Sequence, residues 1–404
     1  MGNAVVRVNG RAYISEGLLA DGGFATVYRV RRGDSQFALK RTRGVADMEQ
    51  LQRVLLEIQV QRALQHPNSM RLVEAEVRVV EGHTQTKEVL MVFPLYERGS
   101  LQSHIERAFE EKRAAFSESE CLRIFVLLVE AVLELQARGY VHRDIKPHNV
   151  LLTSTEPIEP ILTDFGSVAP VQSMISTSHD ALELFERAVQ FSSAAYRAPE
   201  LWEAHSTTRF RGEVDGRSDV WSLGCLLYTM AFGPFSPFEN RTEGVQQLAI
   251  FSGNVRFPPR NVRFGEAYSF GFVALVTWML TVDVEERPTI YQVLDRVDEL
   301  RSGRVSRRSM SMRRSLSAKP IAEADWADFS AFDASDQSSS PSSWTAVSAV
   351  SSVKSQASWR AVSHEANSGI DGNTGARRWL SSGEQRQRAL SRKGKELLAS
   401  ALRS

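Results

Sequence analysis

The chain has 404 residues, of which 42% are hydrophobic and 24% charged, with a net charge of +1. These values fit an ordinary globular protein of about two domains, and they give no electrostatic case for nucleic acid as a partner. No apolar run approaches the roughly 18 residues of a membrane-spanning helix, and the start, MGNAVVRVNG, lacks the long apolar core of a secretory signal.

The even charge hides an asymmetry. Residues 301–404 hold 17 Lys and Arg against 9 Asp and Glu, and 25 of them are serine. Apolar periodicity stops near Arg301, so the last stretch is expected to be a disordered basic tail. The two cysteines, Cys121 and Cys225, lie in apolar helical patterns with no CxxC partner. They are expected to be reduced core thiols of a cytoplasmic protein, with no disulfide or zinc site.

In chain order, residues 1–11 form an N-terminal segment. RAYISEGLLA, TVYRVRR and QFALKRT then read as strands, the first two parted by Gly22 and Gly23. Leu51, Val54, Leu55, Ile58 and Leu64 recur at helical spacing over Met48–Leu64, and HPN at 66–68 stops that helix. MRLVEAEVRVV and KEVLMVF read as a strand pair. From Leu101 to about Leu300 the pattern is mostly helical. CLRIFVLLVEAVLELQARG is apolar nearly all round, as a buried central helix is, and Gly139 closes it. FGFVALVTWML (270–280) reads as another buried helix.

The chemistry is carried by short motifs in a fixed order. His142-Arg143-Asp144-Ile145-Lys146-Pro147-His148-Asn149 has the pattern of a phosphoryl-transfer catalytic loop, and Asp164-Phe165-Gly166 follows fifteen residues after Asn149. Ala198-Pro199-Glu200 closes the segment that follows. Phosphoryl transfer needs metal ions bridging the phosphates, a lysine holding them and a carboxylate orienting the attacking hydroxyl. Asp144 supplies the proton acceptor, Lys146 a point charge at the γ-phosphate, and Asn149 and Asp164 the oxygen ligands that suit Mg²⁺. Upstream, Phe37-Ala38-Leu39-Lys40 and, seventeen residues later in the helical pattern, Glu57 resemble the lysine motif and partner carboxylate of the eukaryotic protein kinases. This implies that Lys40 contacts the α- and β-phosphates of ATP and pairs with Glu57.

Together these motifs resemble those of the eukaryotic protein kinases over residues 12–300. The resemblance implies an α+β, two-lobed kinase fold, with a β-rich N-lobe, a helical C-lobe and residues 301–404 as a disordered tail. It also implies a non-specific serine/threonine protein kinase, a transferase using ATP and Mg²⁺. Ala20, Gly22, Gly23, Val27, Ala38, Lys40, Pro94 and Tyr96 would line the nucleotide. Pro94 would offer only its carbonyl to adenine and Tyr96 its N–H. Aligning Phe24 and Val27 with the family's glycine loop puts Ala20 and Ala25 where two glycines are usual, and only Gly22 of the three remains. Ser193, three residues before Tyr196, would line the substrate groove and contact Asp144 and Lys146. Asp219 would anchor the catalytic loop, Glu200 would pair with buried Arg287, and Arg143 would permit regulation by an activation-segment phosphate.

The variant loop LLADGGFATVY resembles the numb-associated kinase family. FPLYERGSL, DALELFERAVQFSSAAYRAPELW and DVWSLGCLLYTMAFGPFSPFE resemble most its myristoylated and palmitoylated serine/threonine kinase branch. That implies an extra helix near 180–190, a role in membrane traffic and peripheral placement on Golgi or endosomal membranes. Gly2 is where a myristoyl chain would attach, although Val6 replaces the usual Ser or Thr and no cysteine precedes Cys121. In the tail, RRSMSMRRSLS reads as a site for basophilic kinases. Trp326, Phe329 and Phe332 sit in DWADFSAF, which resembles peptides that dock on clathrin-adaptor ear domains. SWTAVS and SWRAVS form a small repeat, and QRQRALSRKGKELLASALRS has a basic amphipathic pattern. The competing reading is a catalytically silent kinase-fold scaffold that docks adaptors through its tail. A small-molecule kinase is a third, disfavoured by the long segment before Ala198-Pro199-Glu200.

Overall fold

Asn9 and Gly10 have φ of 48° and 77°, the left-handed pair that a two-residue type I′ hairpin turn requires. They join β1 (Val5–Val8) to β2 (Arg11–Asp21), with Val8 opposite Arg11. The stretch read from sequence as a separate N-terminal segment therefore supplies a strand of the first sheet. In the computed structural model, residues 4–22, 25–45, 48–80, 86–202 and 212–303 are described. Gly2, Gly23 and the whole tail from residue 304 lie outside them.

A second two-residue turn, Gly33 and Asp34, joins β3 (Thr26–Arg32) to β4 (Ser35–Val45). Helix α1 (Met48–Ala63) follows, then β5 (Glu74–Val79) and β6 (Lys87–Pro94). The strands form one antiparallel sheet in the order β1-β2-β3-β4-β6-β5. It curls until its edges meet. Arg78 of β5 donates to the Arg7 carbonyl at 3.2 Å, and Asn9 to the Ala75 carbonyl at 3.2 Å. Val8, Tyr13, Val30, Leu39, Leu90 and Val92 fill the space enclosed. Register puts Ala20 opposite Val27, Val27 opposite Lys40 and Lys40 opposite Met91. Directly opposed residues share a face of a sheet, so Ala20, Val27 and Lys40 form one row, with Ala38 two residues from Lys40 on the same face.

The larger lobe is built on α2 (Leu101–Glu110) and α3 (Glu118–Ala137). Ser117 and Glu120 close a capping box at the start of α3, satisfying two otherwise orphaned donors. Thirteen of the twenty residues of α3 are buried, and Gly139 follows with φ of 90°, where a side chain would be strained. Short strands β7 (Tyr140–Val141), β8 (Val150–Leu152) and β9 (Pro160–Leu162) hold the catalytic loop. Next come β10 (Ala169–Pro170), β11 (Ser173–Ile175) and α4 (Ser178–Phe191). The last of these is the extra helix, two residues earlier in its start than the sequence pattern placed it, because Thr177 and Asp180 form a capping box there. β12 (Gly212–Val214) pairs with β11, and α5 (Arg217–Phe232), α6 (Gln247–Ser252), α7 (Phe270–Met279) and α8 (Ile290–Ser302) complete the lobe. Helix α7 is buried along one side, through Phe272, Leu275, Val276 and Met279, while Phe270 is 84% exposed. Among the described residues no helix is long and apolar enough to cross a membrane.

Cys121 and Cys225 are buried and free, and burial pushes both thiols well above the usual range. Glu200 and Arg287 form a bidentate pair at 2.8 and 2.9 Å, with both side chains fully buried. Arg287 also donates to the carbonyls of Thr281 and Arg217 and lies 5.1 Å from the centroid of the Trp221 ring. Arg287→Met would strand the Glu200 carboxylate and those carbonyls. The expected loss is about 3–5 kcal/mol, read as a lower unfolding midpoint in urea. A midpoint equal to the parent's would show that the pair does not brace this lobe.

Candidate active site

Asp219, at the start of α5 and fully buried, accepts the backbone N–H groups of His142 (2.8 Å) and Arg143 (2.9 Å). Those two bonds fix the loop between β7 and β8. The His142 ring links the loop to Thr163, the residue after β9. Its Nδ1 accepts from the Asp144 N–H at 3.4 Å, which leaves Nε2 to donate to the Thr163 carbonyl at 3.1 Å. Arg143 and Asp164 hold left-handed backbone, with φ of 69° and 63°. Such conformations cost non-glycine residues energy and persist where surrounding contacts over-determine them.

Three donors converge on Asp144. Lys146 Nζ reaches its Oδ2 at 2.8 Å, Asn149 Nδ2 reaches the same oxygen at 2.9 Å, and the Ser193 N–H reaches Oδ1 at 2.9 Å. Lys146 also donates to Ser193 Oγ at 2.7 Å. Asn149 Nδ2 further donates to the Asp144 carbonyl at 2.8 Å. With the amide nitrogen turned toward Asp144, its oxygen points the other way. The catalytic loop and the end of the activation segment are thus bonded through one carboxylate and one lysine.

Lys40 forms a second centre. Its Nζ lies 2.7 Å from Glu57 Oε1 on α1 and 3.2 Å from Asp164 Oδ1. Burial opposes the charge on Lys40, but the two carboxylates outweigh it and hold the ammonium above the ordinary lysine range. Burial likewise works to raise Asp164, and the Lys40 ammonium overcomes it, leaving the carboxyl below its usual value. Half of the Asp164 side chain stays accessible, whereas Glu57 is almost wholly covered. Glu49, on the same helix, is exposed.

Ala38 stands opposite Phe93 and Phe37 opposite Pro94, where β6 ends. Half-buried Tyr96 lies two residues on. Gly22 tightens the turn after β2 by donating its N–H to the Ala25 carbonyl at 3.0 Å; Gly23 falls outside the described residues. Among the described residues no cluster of three or more His, Cys, Asp or Glu is placed to hold a metal, so the candidate ligands are a pair, Asn149 and Asp164. An amide oxygen and a half-accessible carboxylate fit a small hard cation that keeps its other ligands from water and phosphate.

The structure brings Asp144, Lys146, Asn149 and Ser193 together at one carboxylate and Lys40, Glu57 and Asp164 at one ammonium. Asp219 anchors the loop, Ala20, Val27 and Ala38 share the sheet face of Lys40, Pro94 and Tyr96 lie at and just after the end of β6, and Glu200 and Arg287 form a separate buried pair. Sequence reading gave no role to His142, although its position inside the loop motif offered the signal. It also missed Arg53 and Phe191, which no local pattern joins.

This constellation is that of a phosphotransferase acting on protein hydroxyls. The chain matches the protein kinase domain over residues 13–297 and belongs to that family. It is similar to serine/threonine-protein kinase 16 of Mus musculus, with 31% identity over 299 residues covering 73% of this chain and 92% of that protein. It is also 29% identical over 362 residues to a probable serine/threonine-protein kinase of Dictyostelium discoideum (72% and 95% covered). Against serine/threonine-protein kinase ENV7 of Saccharomyces cerevisiae it is 27% identical over 359 residues (74% and 94%). The protein is a serine/threonine protein kinase, and as such uses ATP and a divalent metal.

Lys40→Met is expected to lower kcat by about 10²–10³ in a steady-state assay. Arg43→Met, at an exposed site on the same strand, should leave kcat unchanged. Equal rates for the two variants would remove Lys40 from the chemistry.

Proposed function

We propose that this kinase transfers the γ-phosphate of ATP with Asp144 as proton acceptor and with Asn149 and Asp164 as the ligands of Mg²⁺. Magnesium would supply neutralisation of the charge that develops on the phosphates. The observation that carries the reading is the convergence of Lys146, Asn149 and the Ser193 N–H on the Asp144 carboxylate. These donors orient the carboxylate so that an incoming hydroxyl meets an acceptor already in place. Lys146 is positioned to share its charge between that carboxylate and the transferred group, and Lys40, braced by Glu57, to grip the α- and β-phosphates. Lys146 bonded to Ser193 Oγ fits a groove for serine and threonine hydroxyls.

The expected result in a radiolabelled ATP assay is transfer to serine or threonine that Asp144→Ala abolishes. EDTA should stop it and Mg²⁺ restore it, and Asn149→Ala should raise the Mg²⁺ concentration needed for half-maximal rate. If Asp144→Ala matched the parent, the silent-scaffold reading would take precedence.

We also place the protein in the numb-associated family, on the branch named above, with a role in membrane traffic as a cytoplasmic enzyme peripheral to Golgi or endosomal membranes. Support comes from α4, an added helix within the activation segment, and from a basic tail carrying Trp326, Phe329 and Phe332 in an acidic stretch. Large aromatics in so polar a segment suit docking on a protein surface. Full-length protein should be retained by an immobilised adaptor ear domain, and Trp326→Ala with Phe329→Ala should release it. Equal retention of parent and variant would dismiss that partner.

A further inference from the structure

Arg53 lies one turn before Glu57 on α1, so the two side chains share a face of the helix. Its guanidinium carbon sits 4.3 Å from the centroid of the Phe191 ring, and Phe191 is the last residue of α4. Arg53 Nη1 is buried without a hydrogen-bond partner, so the ring face is what meets that side of the half-buried guanidinium. Phe191 is itself fixed, because Ser167 Oγ donates to its carbonyl at 2.6 Å. Ser167 follows Gly166, where an added Cβ would stand 3.4 Å from both Glu57 Oε2 and Asp164 Oδ1. Two residues beyond Phe191, Ser193 bonds Asp144. One phenyl ring therefore stands where α1, the turn after Asp164 and the segment that orders Asp144 come together.

We propose that Arg53 is a positioning residue, which by stacking on Phe191 couples α1, and with it the Lys40–Glu57 pair, to the segment that orders Asp144. The proposal rests on the assignment of Asp144 and Lys40 given above. With the stack lost, α1 is free to swing Glu57 away from Lys40, and the fraction of molecules with both centres assembled falls. A partly desolvated cation–π contact corresponds to about three- to tenfold in that equilibrium. The loss appears in kcat, with the hinge that receives adenine untouched.

The test uses the full chain and five variants: Arg53→Met, Phe191→Leu, the two combined, Phe191→Tyr, and Asp144→Ala as the inactive control. Arg53→Met and Phe191→Leu should each lower kcat about three- to tenfold without changing the thermal midpoint. The double variant should be no slower than the slower single one, and Phe191→Tyr, which keeps the ring face, should retain the parent rate. A parent-like kcat for Arg53→Met, losses that multiply in the double variant, a Phe191→Tyr as slow as Phe191→Leu, or rates that track lowered midpoints would each overturn the coupling. Activity in Asp144→Ala would instead overturn the assignment beneath it.

Discussion

The charge on Lys40 is the constraint from which the rest of the site follows. An ammonium taken this far from water is stable only beside carboxylates, and the two it meets come from different parts of the fold. Glu57 belongs to α1 and Asp164 to the turn after β9. Holding all three within hydrogen-bond reach sets the height of α1 against the sheet and ties the small lobe to the large one. The same arrangement leaves Asp164 with half its surface accessible, open to a cation, while Glu57 is committed to the lysine.

Around Asp144 the logic is one of donors. Asp144 accepts from Lys146, Asn149 and Ser193, and the loop carrying it hangs from the Asp219 carboxylate by two backbone bonds. Asp219 opens a helix of sixteen residues, fourteen of them buried, so the anchor is as rigid as the core of the lobe. Catalytic loops need such support, because a carboxylate misplaced by an ångström loses most of its advantage. The left-handed backbone at Arg143 and Asp164 marks where the chain bends to satisfy both centres at once.

Much of this was legible because phosphoryl transfer concentrates its groups in short loops. Asp144, Lys146 and Asn149 fall within six residues, and Asp164 stands at the head of a tripeptide that carries its own turn. Pairings across the fold, such as Glu200 with Arg287 or Ser193 with Asp144, became readable only through resemblance to a family, since no periodicity links them. The Asn9-Gly10 turn was available in the sequence, with valines on one side and an alternating strand on the other, yet it went unused, and β1 was missed with it. Arg53 and Phe191 had no such signal. A basic residue on an amphipathic helix reads as a solvated charge until the fold carries a ring beneath it.

If one lysine and two metal-holding side chains converge on the phosphates of a single nucleotide, a crystal structure of the full chain with Mg²⁺ and a non-hydrolysable ATP analogue will show it. The account predicts a metal about 2.1 Å from Asn149 Oδ1 and from an Asp164 oxygen, with Lys40 between Glu57 and the α- and β-phosphates. Phosphates bound away from Lys40, or a metal held without Asn149 and Asp164, would contradict it.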